Sequence, residues 1–373
     1  MKLLCISRKH PPSVGGMQAM NQALISRLAR DTDATVVAWG GSQWFLPFFL
    51  AWALLRSLAL LPPRRRPDAV YLGDALLAPF GLLLKRLLRR PVAVTAHGRD
   101  ITFRFPLYRT VVGSALRRLD RVASVSRHTD GLCAATGVPA ERRRIIPNGV
   151  DPDAHRAGPA DREAALRWLA GRGIDRSRPM LLTVGRLVKR KGVARFVGEA
   201  LPALARLHPD VLLIVVGEGR ERASIERRIA EREMERHALL AGALPPELLR
   251  GLAGVASVFV MPNIPVEGDA EGFGLVALEA GCAGLPVAAS DLEGIRDAIV
   301  PGMNGALIRW DDTEGFVSTV AALLADAGRR AAAGEAARRF NRERFSWDEA
   351  ARRYLAMLES LASGAAPPPA AEA

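Results

Sequence analysis

The sequence has 373 residues, of which 49% are hydrophobic and 24% are charged. A chain of this length exceeds the size of one ordinary hydrophobic core, so we predict a globular protein of two domains. The body of the chain contains no collagen-like period, solenoid repeat or low-complexity tract, which excludes fibrous and repeat proteins. The formal net charge is +13, and residues 1–120 hold nearly all of it, with 18 Lys and Arg against six Asp and no Glu.

The first half of the chain alternates short apolar strands with helical stretches, which is the rhythm of a parallel sheet. The run Met1–Ser7 is too short for the core of a secretion signal, so we interpret it as a buried first strand. Turn-forming residues from Pro147 to Asp151 interrupt the rhythm, and the hinge predicted there makes residues 1–170 the N-terminal domain. The predicted strands are Lys2–Ser7, Ala34–Ala38, Ala69–Leu72, Val92–Ala96 and Val122–Val125.

Two apolar runs in this domain stand beside arginine clusters. The run Trp44–Leu55 is apolar on every helical face, and Ala75–Leu84 leads into the basic segment Lys85–Arg90. Such a pattern suits a helix at a membrane interface, with Trp44 and Phe48 among the acyl chains and arginine side chains at the lipid phosphates. The arginines that follow the first run are Arg64, Arg65 and Arg66.

Two other interpretations of the first run stay open. It is equally well explained as a core helix of a large α/β domain, and its extension to Leu61 approaches the length of a membrane span. Pro47, Arg56 and Ser57 weaken the case for a span. Nucleic acid is not an expected partner because no recognised binding motif accompanies the charge.

The cysteines indicate the compartment. Cys5, Cys133 and Cys282 are odd in number, lie far apart and have no neighbouring Cys or His at metal-ligand spacing. They favour a reducing setting, so we expect a cytoplasmic protein, peripheral on the inner face of the cytoplasmic membrane if the interfacial interpretation holds. No metal site is expected.

The strand rhythm restarts in the second half and predicts a second doubly wound domain at residues 171–345. A final helix at 346–362 carries an apolar stripe and is expected to pack back across the hinge, and residues 363–373 form an Ala- and Pro-rich disordered tail. Glycine loops follow the first strand of each half, so the fold class is α/β with two Rossmann-like domains whose crevices face each other across a cleft. The predicted strands are Met180–Val184, Val211–Val216, Ala238–Ala241, Val258–Met261 and Val287–Ala289.

Two loops have the composition of phosphate-binding sites. Gly15 and Gly16 precede a helix predicted near Gln18, where a helix N-terminus favours a phosphate, although an ordinary Gly-Gly turn explains the pair equally well. The loop Gly185–Gly192 holds four cations in six positions after a strand. Its Arg186 suits two phosphoryl oxygens and its Lys191 adds a point charge, whereas a solvated basic loop is the alternative.

Further candidate residues flank strands and helices. Glu271 and Glu279 are about 12 Å apart if the segment between them is helical, so one cannot replace the other: the first lies in a glycine-rich lead-in, and the second suits a ribose diol. Two carboxylates on a helix are common, so the pair alone favours the alternative that neither has a binding role. His97 ends a buried strand and suits a sugar hydroxyl or phosphate, or merely caps the strand. The amides expected to point at an anion are those of Phe273, Gly274 and Leu275.

The chain resembles glycosyltransferase family 4 over nearly its whole length. Six motifs in order carry the resemblance: Gly15–Gly16, Ala96–Asp100, Pro147–Asp151, Gly185–Leu187 with Lys191–Gly192, Val216–Gly219, and Glu271–Gly274 with Glu279–Ala280. The resemblance implies a GT-B fold, a nucleotide sugar held mainly by the C-terminal domain, an acceptor held by the N-terminal domain, retention of anomeric configuration and no metal or other cofactor.

The resemblance also implies residue roles. Arg186 and Lys191 offset the charge on the leaving diphosphate, Glu271 contacts the donor sugar, and Glu279 contacts the ribose. The further roles concern Gly16 at the diphosphate or acceptor approach, His97 at the C6 hydroxyl, Gly185 in the basic loop and Gly217 near the base.

The sequence thus predicts a retaining glycosyltransferase that moves a hexosyl unit from GDP-mannose or a UDP-hexose to a hydroxyl of a lipid-linked or cell-envelope glycan. The lipid link rests on the basic, apolar first 120 residues. Two other functions stay open: a GT-B nucleotide-sugar 2-epimerase, and a scaffold that binds nucleotide or lipid without turnover.

Overall fold

The computed structural model describes residues 1–13, 15–103 and 105–365. It divides into two compact units, one comprising Met1–Gly149 with the chain from Trp347 onward, and the other Val150–Ser346. Each unit has its own parallel sheet.

The first sheet has six strands in the order β2-β1-β3-β4-β5-β6. The five predicted strands are confirmed to within one residue at each end, but β6 was not predicted. It lies at the sheet edge, and its sequence Arg-Arg-Ile contains no apolar run. The strands are β1 (Lys2–Ser7), β2 (Asp33–Ala38), β3 (Ala69–Leu72), β4 (Val92–Ala96), β5 (Arg121–Ser124) and β6 (Arg143–Ile145).

Alternating strand residues separate the two faces of this sheet. Leu4 and Ile6 pack in a core beneath three helices, whereas Leu3 and Cys5 belong to the core on the opposite face. The helices of this part of the chain are α1 (Gly16–Asp31), α2 (Leu46–Leu58), α3 (Ala78–Leu88), α4 (Arg99–Thr102), α5 (Pro106–Leu116) and α6 (Arg127–Ala135). Helices α2, α3 and α5 cover the first of these cores, and α1 covers the second.

The second sheet has the order β12-β11-β10-β7-β8-β9. All five predicted strands are confirmed to within one residue at each end, and the three-residue edge strand β12 was not predicted. The strands are β7 (Met180–Val184), β8 (Leu212–Val216), β9 (Ala238–Gly242), β10 (Val258–Met261), β11 (Val287–Ser290) and β12 (Ala306–Ile308). The helices are α7 (Pro159–Ala170), α8 (Val193–Leu207), α9 (Arg222–Glu231), α10 (Pro246–Val255), α11 (Leu275–Cys282), α12 (Ile295–Ala298), α13 (Thr313–Ala325) and α14 (Ala327–Arg344).

The boundary between the units differs from the predicted one at residue 170. Val150 to Ala170 belongs to the second unit because α7 packs on α10. Ala165 and Leu169 are fully buried in a core cluster of that unit, and Arg250 on α10 donates to Asp161 at 3.1 Å. Only these two residues of α7 are buried, so its short buried stripe did not show in the sequence as a helix that packs on the second unit.

The last helix, α15 (Trp347–Ser363), belongs to the first unit. Its stripe of Ala350, Tyr354 and Leu358 is buried beside α1, and Thr95 Oγ1 donates to the Tyr354 hydroxyl at 3.1 Å. Of the tail predicted from Ser363 onward, residues 366–373 lie outside the described residues.

Strand order places a ligand crevice in each unit. In a doubly wound sheet, ligands bind at the carboxyl ends of the two strands between which the strand order reverses. These are β7 and β10 in the second sheet, and β1 and β3 in the first. The loops after these four strands are therefore the candidate ligand-binding segments.

Candidate functional site

The loop after β7 is folded tightly by two glycines. Gly185 has φ +150°, and a Cβ there would lie 3.3 Å from Lys191 Cε, so its missing side chain makes room for the lysine. Gly192 has φ +65°, and a Cβ there would lie 1.8 Å from the carbonyl oxygen of Pro262. The two glycines hold Lys191 against the chain that leaves β10.

Glu271 is the centre of a buried polar cluster at the ends of β7 and β10. Its Oε2 accepts from Lys191 Nζ at 2.6 Å and from Asn263 Nδ2 at 3.0 Å. Arg190 donates to the same oxygen and lies 3.4 Å from Asp269. The Lys191 and Glu271 side chains are only 12% and 14% exposed. The structure therefore brings together the cation and carboxylate that were selected on separate loops.

The charges in this cluster fix its protonation. Burial alone would raise the pKa of Glu271, but the charges of Lys191 and Arg190 outweigh burial and lower that pKa to about 2. Burial lowers the pKa of Lys191, with Arg190 and Arg186 adding to the effect and Glu271 opposing it. Glu271 is consequently ionised at neutral pH. Arg186 is exposed at the mouth of the same loop.

Three residues of the cluster were not selected from the sequence: Arg190, Asn263 and Glu293. The Glu293 carboxylate accepts from the backbone N–H of Glu271, and its own backbone has φ +48°. A Cβ on Gly294 would lie 2.0 Å from the carbonyl oxygen of Gly272, so the loop after β11 is pressed against this segment. Asn263 and Glu293 each follow a strand end, which is the signal that could have identified them.

Helix α11 contains Glu279 but not Glu271. It begins at Leu275 with Gly274 as its N-cap at φ +92°, so Glu271 precedes the helix and does not share a helical face with Glu279. The Phe273 side chain is buried, with its ring centroid 6.0 Å from that of Phe345, so only its backbone is suited to meet a ligand.

Glu279 lines a separate, mostly apolar cavity of about 150 Å³. Val184, at the carboxyl end of β7, and Pro246, at the start of α10, line the same cavity. A carboxylate at the rim of an apolar pocket suits a ligand that has both hydroxyls and a flat ring.

Gly217 joins three loops at the same sheet edge. It has φ +133°, a Cβ there would lie 2.0 Å from the Gly185 carbonyl oxygen, and its N–H donates to the carbonyl of Gly242 at 2.8 Å. Any side chain at this position would push the loops after β7 and β8 apart.

In the first unit, His97 follows β4 as predicted and is half-buried. Its Nε2 lies 2.9 Å from the Gly73 carbonyl oxygen, and its backbone N–H donates to Asp100 Oδ1 at 2.8 Å. A carbonyl only accepts, so in the neutral tautomer that fits this contact Nε2 carries the proton and Nδ1 keeps a lone pair. Gly16 begins α1, two residues earlier than predicted, and is exposed.

The crevice of the first sheet contains an ion pair that the sequence did not reveal. Arg8, just after β1, donates from Nε to Asp74 Oδ1 at 2.9 Å, and Asp74 follows β3. Arg8 also donates to Gln43 Oε1 at 2.7 Å. Burial raises the pKa of Asp74, with Arg8 opposing the shift, and Asp74 Oδ2 is buried without a hydrogen-bond partner in the described part of the chain.

The apolar run after β2 is neither wholly buried nor wholly exposed. Phe49 and Ala53 of α2 are buried, whereas Trp44 and Phe48 are 91% and 72% exposed. Arg64 and Arg65 are exposed, while the guanidinium of Arg66 donates back to the carbonyl of Leu61. Across residues 1–13, 15–103 and 105–365, no helix has the length and hydropathy that a membrane span requires.

Within the residues that the structure describes, no three or more His, Cys, Asp or Glu side chains are grouped so as to hold a metal ion. Cys5, Cys133 and Cys282 are all buried and free.

Comparison with known proteins agrees with this architecture. The family described as "Glycosyl transferases group 1" matches residues 167–340, and that described as "Glycosyltransferase Family 4" matches residues 29–154. A GDP-mannose-dependent alpha-(1-6)-phosphatidylinositol monomannoside mannosyltransferase from Mycolicibacterium smegmatis is 31% identical over 97% of this chain and 98% of its own. The chain belongs to glycosyltransferase family 4. It is accordingly a glycosyltransferase that uses a nucleotide sugar.

Further proteins are similar in sequence or in fold. A D-inositol 3-phosphate glycosyltransferase from Xylanimonas cellulosilytica is 35% identical over 65% of this chain and 56% of its own. The solved structure of HepE from Anabaena in complex with UDP has a TM-score of 0.77 at 19% identity, covering 97% of this chain and all of that one. Sucrose-phosphate synthase from Thermosynechococcus elongatus has a TM-score of 0.75 at 19% identity, with 98% of this chain covered and 100% of its own. These structures confirm the GT-B fold class.

Proposed function

We propose that this protein transfers a mannosyl unit from GDP-mannose, with retention of anomeric configuration, to a hydroxyl of a lipid-linked cell-envelope glycan. The observation that carries the proposal is the buried Lys191–Glu271 pair at the reversal point of the second sheet. The choice of GDP-mannose follows the relative from Mycolicibacterium smegmatis, which matches 97% of this chain.

The basic loop supplies the charge that a departing diphosphate needs. Arg186 is exposed on the loop. The side chain of Lys191 packs against Gly185 and donates to Glu271, and these two contacts hold it in place. A preorganised cation stabilises charge that develops on the leaving group without reorganisation at the moment of reaction. These two side chains take the part that a metal ion plays in other transferases, so we propose a reaction that needs no metal or other cofactor.

Glu271 is arranged to read the donor sugar. Its Oε2 is occupied by Lys191, Arg190 and Asn263, which leaves Oε1 to accept from a sugar hydroxyl. A carboxylate oxygen that accepts from a hydroxyl forms a strong, charge-assisted hydrogen bond. Because three donors hold Oε2, the position of Oε1 is also fixed. A sugar hydroxyl bound to Oε1 would therefore fix the orientation of the sugar.

The remaining donor roles follow the geometry of each residue. Glu279 receives the ribose hydroxyls at the rim of its apolar cavity, and the amides of Phe273, Gly274 and Leu275 face the diphosphate at the start of α11. Gly217 lets the backbone approach the base. In the first unit, Gly16 borders the acceptor approach and His97 offers Nδ1 to the C6 hydroxyl of the sugar, as the family resemblance implies.

Retention requires no enzyme nucleophile in this scheme. The bond between the anomeric carbon and the phosphate oxygen breaks, the acceptor oxygen bonds to the anomeric carbon on the same face, and the acceptor proton passes to the departing phosphate. Arg186 and Lys191 hold that phosphate throughout.

The acceptor proposal combines the relatives with the first unit. The relative from Mycolicibacterium smegmatis bears a name that specifies a phosphatidylinositol mannoside acceptor. In this chain, the exposed Trp44 and Phe48 and the basic segment with Arg64, Arg65 and Arg66 suit a protein peripheral to the inner face of the cytoplasmic membrane.

A panel of nucleotide sugars tests the proposed function. The wild-type protein is incubated with each donor and a lipid-linked glycan acceptor, and Lys191→Ala is compared with the matched control Lys189→Ala on the same loop. We expect GDP-mannose to give glycosylated acceptor with wild type and control but not with Lys191→Ala. Epimerisation of a donor in the absence of acceptor would contradict the proposal in favour of a 2-epimerase.

A further inference from the structure

The first unit exposes an unusual amount of apolar surface on one side. Eleven of the fifteen large hydrophobic side chains that are exposed in the described residues lie on α2, α3, α5 or the segments that lead into them. We call this the three-helix face. Its exposed side chains are Trp44, Phe45, Phe48, Trp52 and Leu55 at α2, Leu83 and Leu87 on α3, and Phe103, Phe105, Leu107 and Val111 at α5.

The three helices form one continuous surface. Helix α3 packs against α2 on one side and against α5 on the other. Along α2 the exposed residues Phe48, Trp52 and Leu55 recur at intervals of four and three, which places them on one stripe. Leu83 and Leu87 on α3, like Leu107 and Val111 on α5, are also four residues apart. Each helix therefore buries one apolar side on the sheet and presents a second one to the outside.

The charge of this face has a single sign. Helices α2, α3 and α5 contain no Asp or Glu, whereas Arg56, Arg86 and Arg109 lie on them and are exposed. Arg64 and Arg65, which follow α2, and Arg89, which follows α3, extend the basic surface. Asp120 lies next to this surface, but it pairs with Lys85 at 2.7 Å. A partner for the face must accept apolar side chains and cations together.

The face borders the carboxyl edge of the first sheet. Gln43, immediately before Trp44, exchanges hydrogen bonds with Arg8 at that edge, at 2.7 Å and 3.2 Å. At the start of α5, the Tyr108 hydroxyl donates to the carbonyl of Asp100 at 2.6 Å. The most exposed apolar side chains, at the N-terminal ends of α2 and α5, are thus tied to the loops that carry Arg8 and His97.

We propose that the three-helix face docks on an anionic lipid bilayer and thereby brings a lipid headgroup to the carboxyl edge of the first sheet. Aromatic and aliphatic side chains enter the acyl boundary while the arginines meet lipid phosphates. A soluble protein partner with a purely apolar surface would leave at least five arginines without counter-charge, which favours the bilayer. Docking stands on this surface alone, whereas its use for an acceptor rests on the proposed function.

Flotation of the full-length protein with vesicles tests the docking. Wild type is mixed with phosphatidylcholine vesicles that contain either no anionic lipid or about 40 mol% phosphatidylglycerol, an amount that gives a strongly negative surface potential. We expect it to float with the anionic vesicles only, and to be released at about 0.5 M salt, where screening is strong.

Matched variants separate the apolar contribution from the basic one. Trp44→Ser with Phe48→Ser should lower the partition coefficient at least about ten-fold, because both side chains are exposed and would enter the acyl boundary. Leu207→Ser with Met303→Ser removes two exposed apolar side chains from the second unit and should change nothing. Arg64→Ala with Arg65→Ala should cost about five-fold per charge, whereas Arg227→Ala with Arg236→Ala, exposed in the second unit, should cost little.

The outcomes distinguish this inference from the proposed function. Equal flotation of wild type and Trp44→Ser/Phe48→Ser would overturn the docking, even if mannosyl transfer occurs. A concentration-dependent dimer that the same substitutions abolish, with no vesicle binding, would assign the face to a second copy of this chain instead. Vesicle binding without transfer from any nucleotide sugar would leave the docking intact and overturn the function.

Discussion

The ammonium nitrogen of Lys191 lies 2.6 Å from Oε2 of Glu271, and both side chains are nearly buried. They come from loops after β7 and β10, the strands between which the order of the second sheet reverses. Under the proposed function, the pair would combine a cation for the departing diphosphate with a carboxylate for the donor sugar.

Replacing Lys191 should remove catalysis and leave the fold. In Lys191→Ala, Glu271 keeps Arg190 and Asn263 as partners, so no buried carboxylate is left unpaired. We expect kcat to fall by about 10²–10³, the usual effect of removing one group that stabilises developing charge. Steady-state kinetics with GDP-mannose measure it. A melting temperature within a few degrees of wild type and unchanged activity of Lys189→Ala are the controls, and equal kcat in the two variants would refute the role of Lys191.

Replacing Glu271 should cost stability as well as activity. Glu271→Gln leaves Lys191 and Arg190 without their shared carboxylate, and the depression of the Glu271 pKa from 4.5 to about 2 corresponds to about 3 kcal/mol. A depressed carboxyl pKa gives stability that is present above the unfolded value and is lost as pH falls toward about 2. Denaturant unfolding should therefore show a deficit for Glu271→Gln at pH 7 that shrinks below pH 4.5, whereas a deficit independent of pH would count against the ionised pair.

Glu293 should control the acidic limb of the pH profile. Burial raises its pKa, so as the pH falls it is protonated well before Glu271, whose pKa is about 2. Protonation weakens the acceptor that fixes the backbone N–H of Glu271. Glu293→Gln, which keeps a carbonyl oxygen but cannot titrate, should flatten the acidic limb of kcat/KM. An acidic limb identical to that of wild type would assign the titration to another group.

Gly217 should tolerate no side chain. At φ +133° a Cβ would meet the Gly185 carbonyl at 2.0 Å, so Gly217→Ala must move the loop that carries Arg186. We expect a loss of about 3 kcal/mol in the free energy of unfolding and weaker nucleotide binding by calorimetry. Gly131→Ala is the matched control: it lies within α6 with nothing within 4 Å of its Cβ, and should be neutral or slightly stabilising. Similar losses in both variants would show that the close approach does not matter.

The strands could be predicted from the sequence more completely than the residues of the candidate site. Ten of the twelve strands were predictable because each is an apolar run between helical stretches. The edge strands β6 and β12 are too short to show a period, and α7 was assigned to the wrong unit because its buried stripe is only Ala165 and Leu169. Lys191 and Glu271 belong to motifs with recognisable spacing, which is why they were found.

The members of the cluster that were not predicted have no signal in the sequence beyond their position after a strand end. Arg190 stands in a basic loop where Arg186 and Lys191 are equally suited to a phosphate, and only the fold of that loop turns it onto Glu271. Asn263 and Glu293 are 30 residues apart in the sequence and meet at Glu271 through tertiary packing alone. Likewise the Arg8–Asp74 pair depends on β1 and β3 being neighbours.

The most direct test of the central claim is transfer from radiolabelled GDP-mannose to a lipid-linked acceptor in anionic vesicles, with excess chelator present throughout. If Lys191 and Glu271 form a metal-independent donor site, wild type and Lys189→Ala should label the lipid at similar rates, and Lys191→Ala and Glu271→Gln should not. Labelling by Lys191→Ala at the wild-type rate, or no labelling by wild type until a divalent cation is restored, would contradict the account.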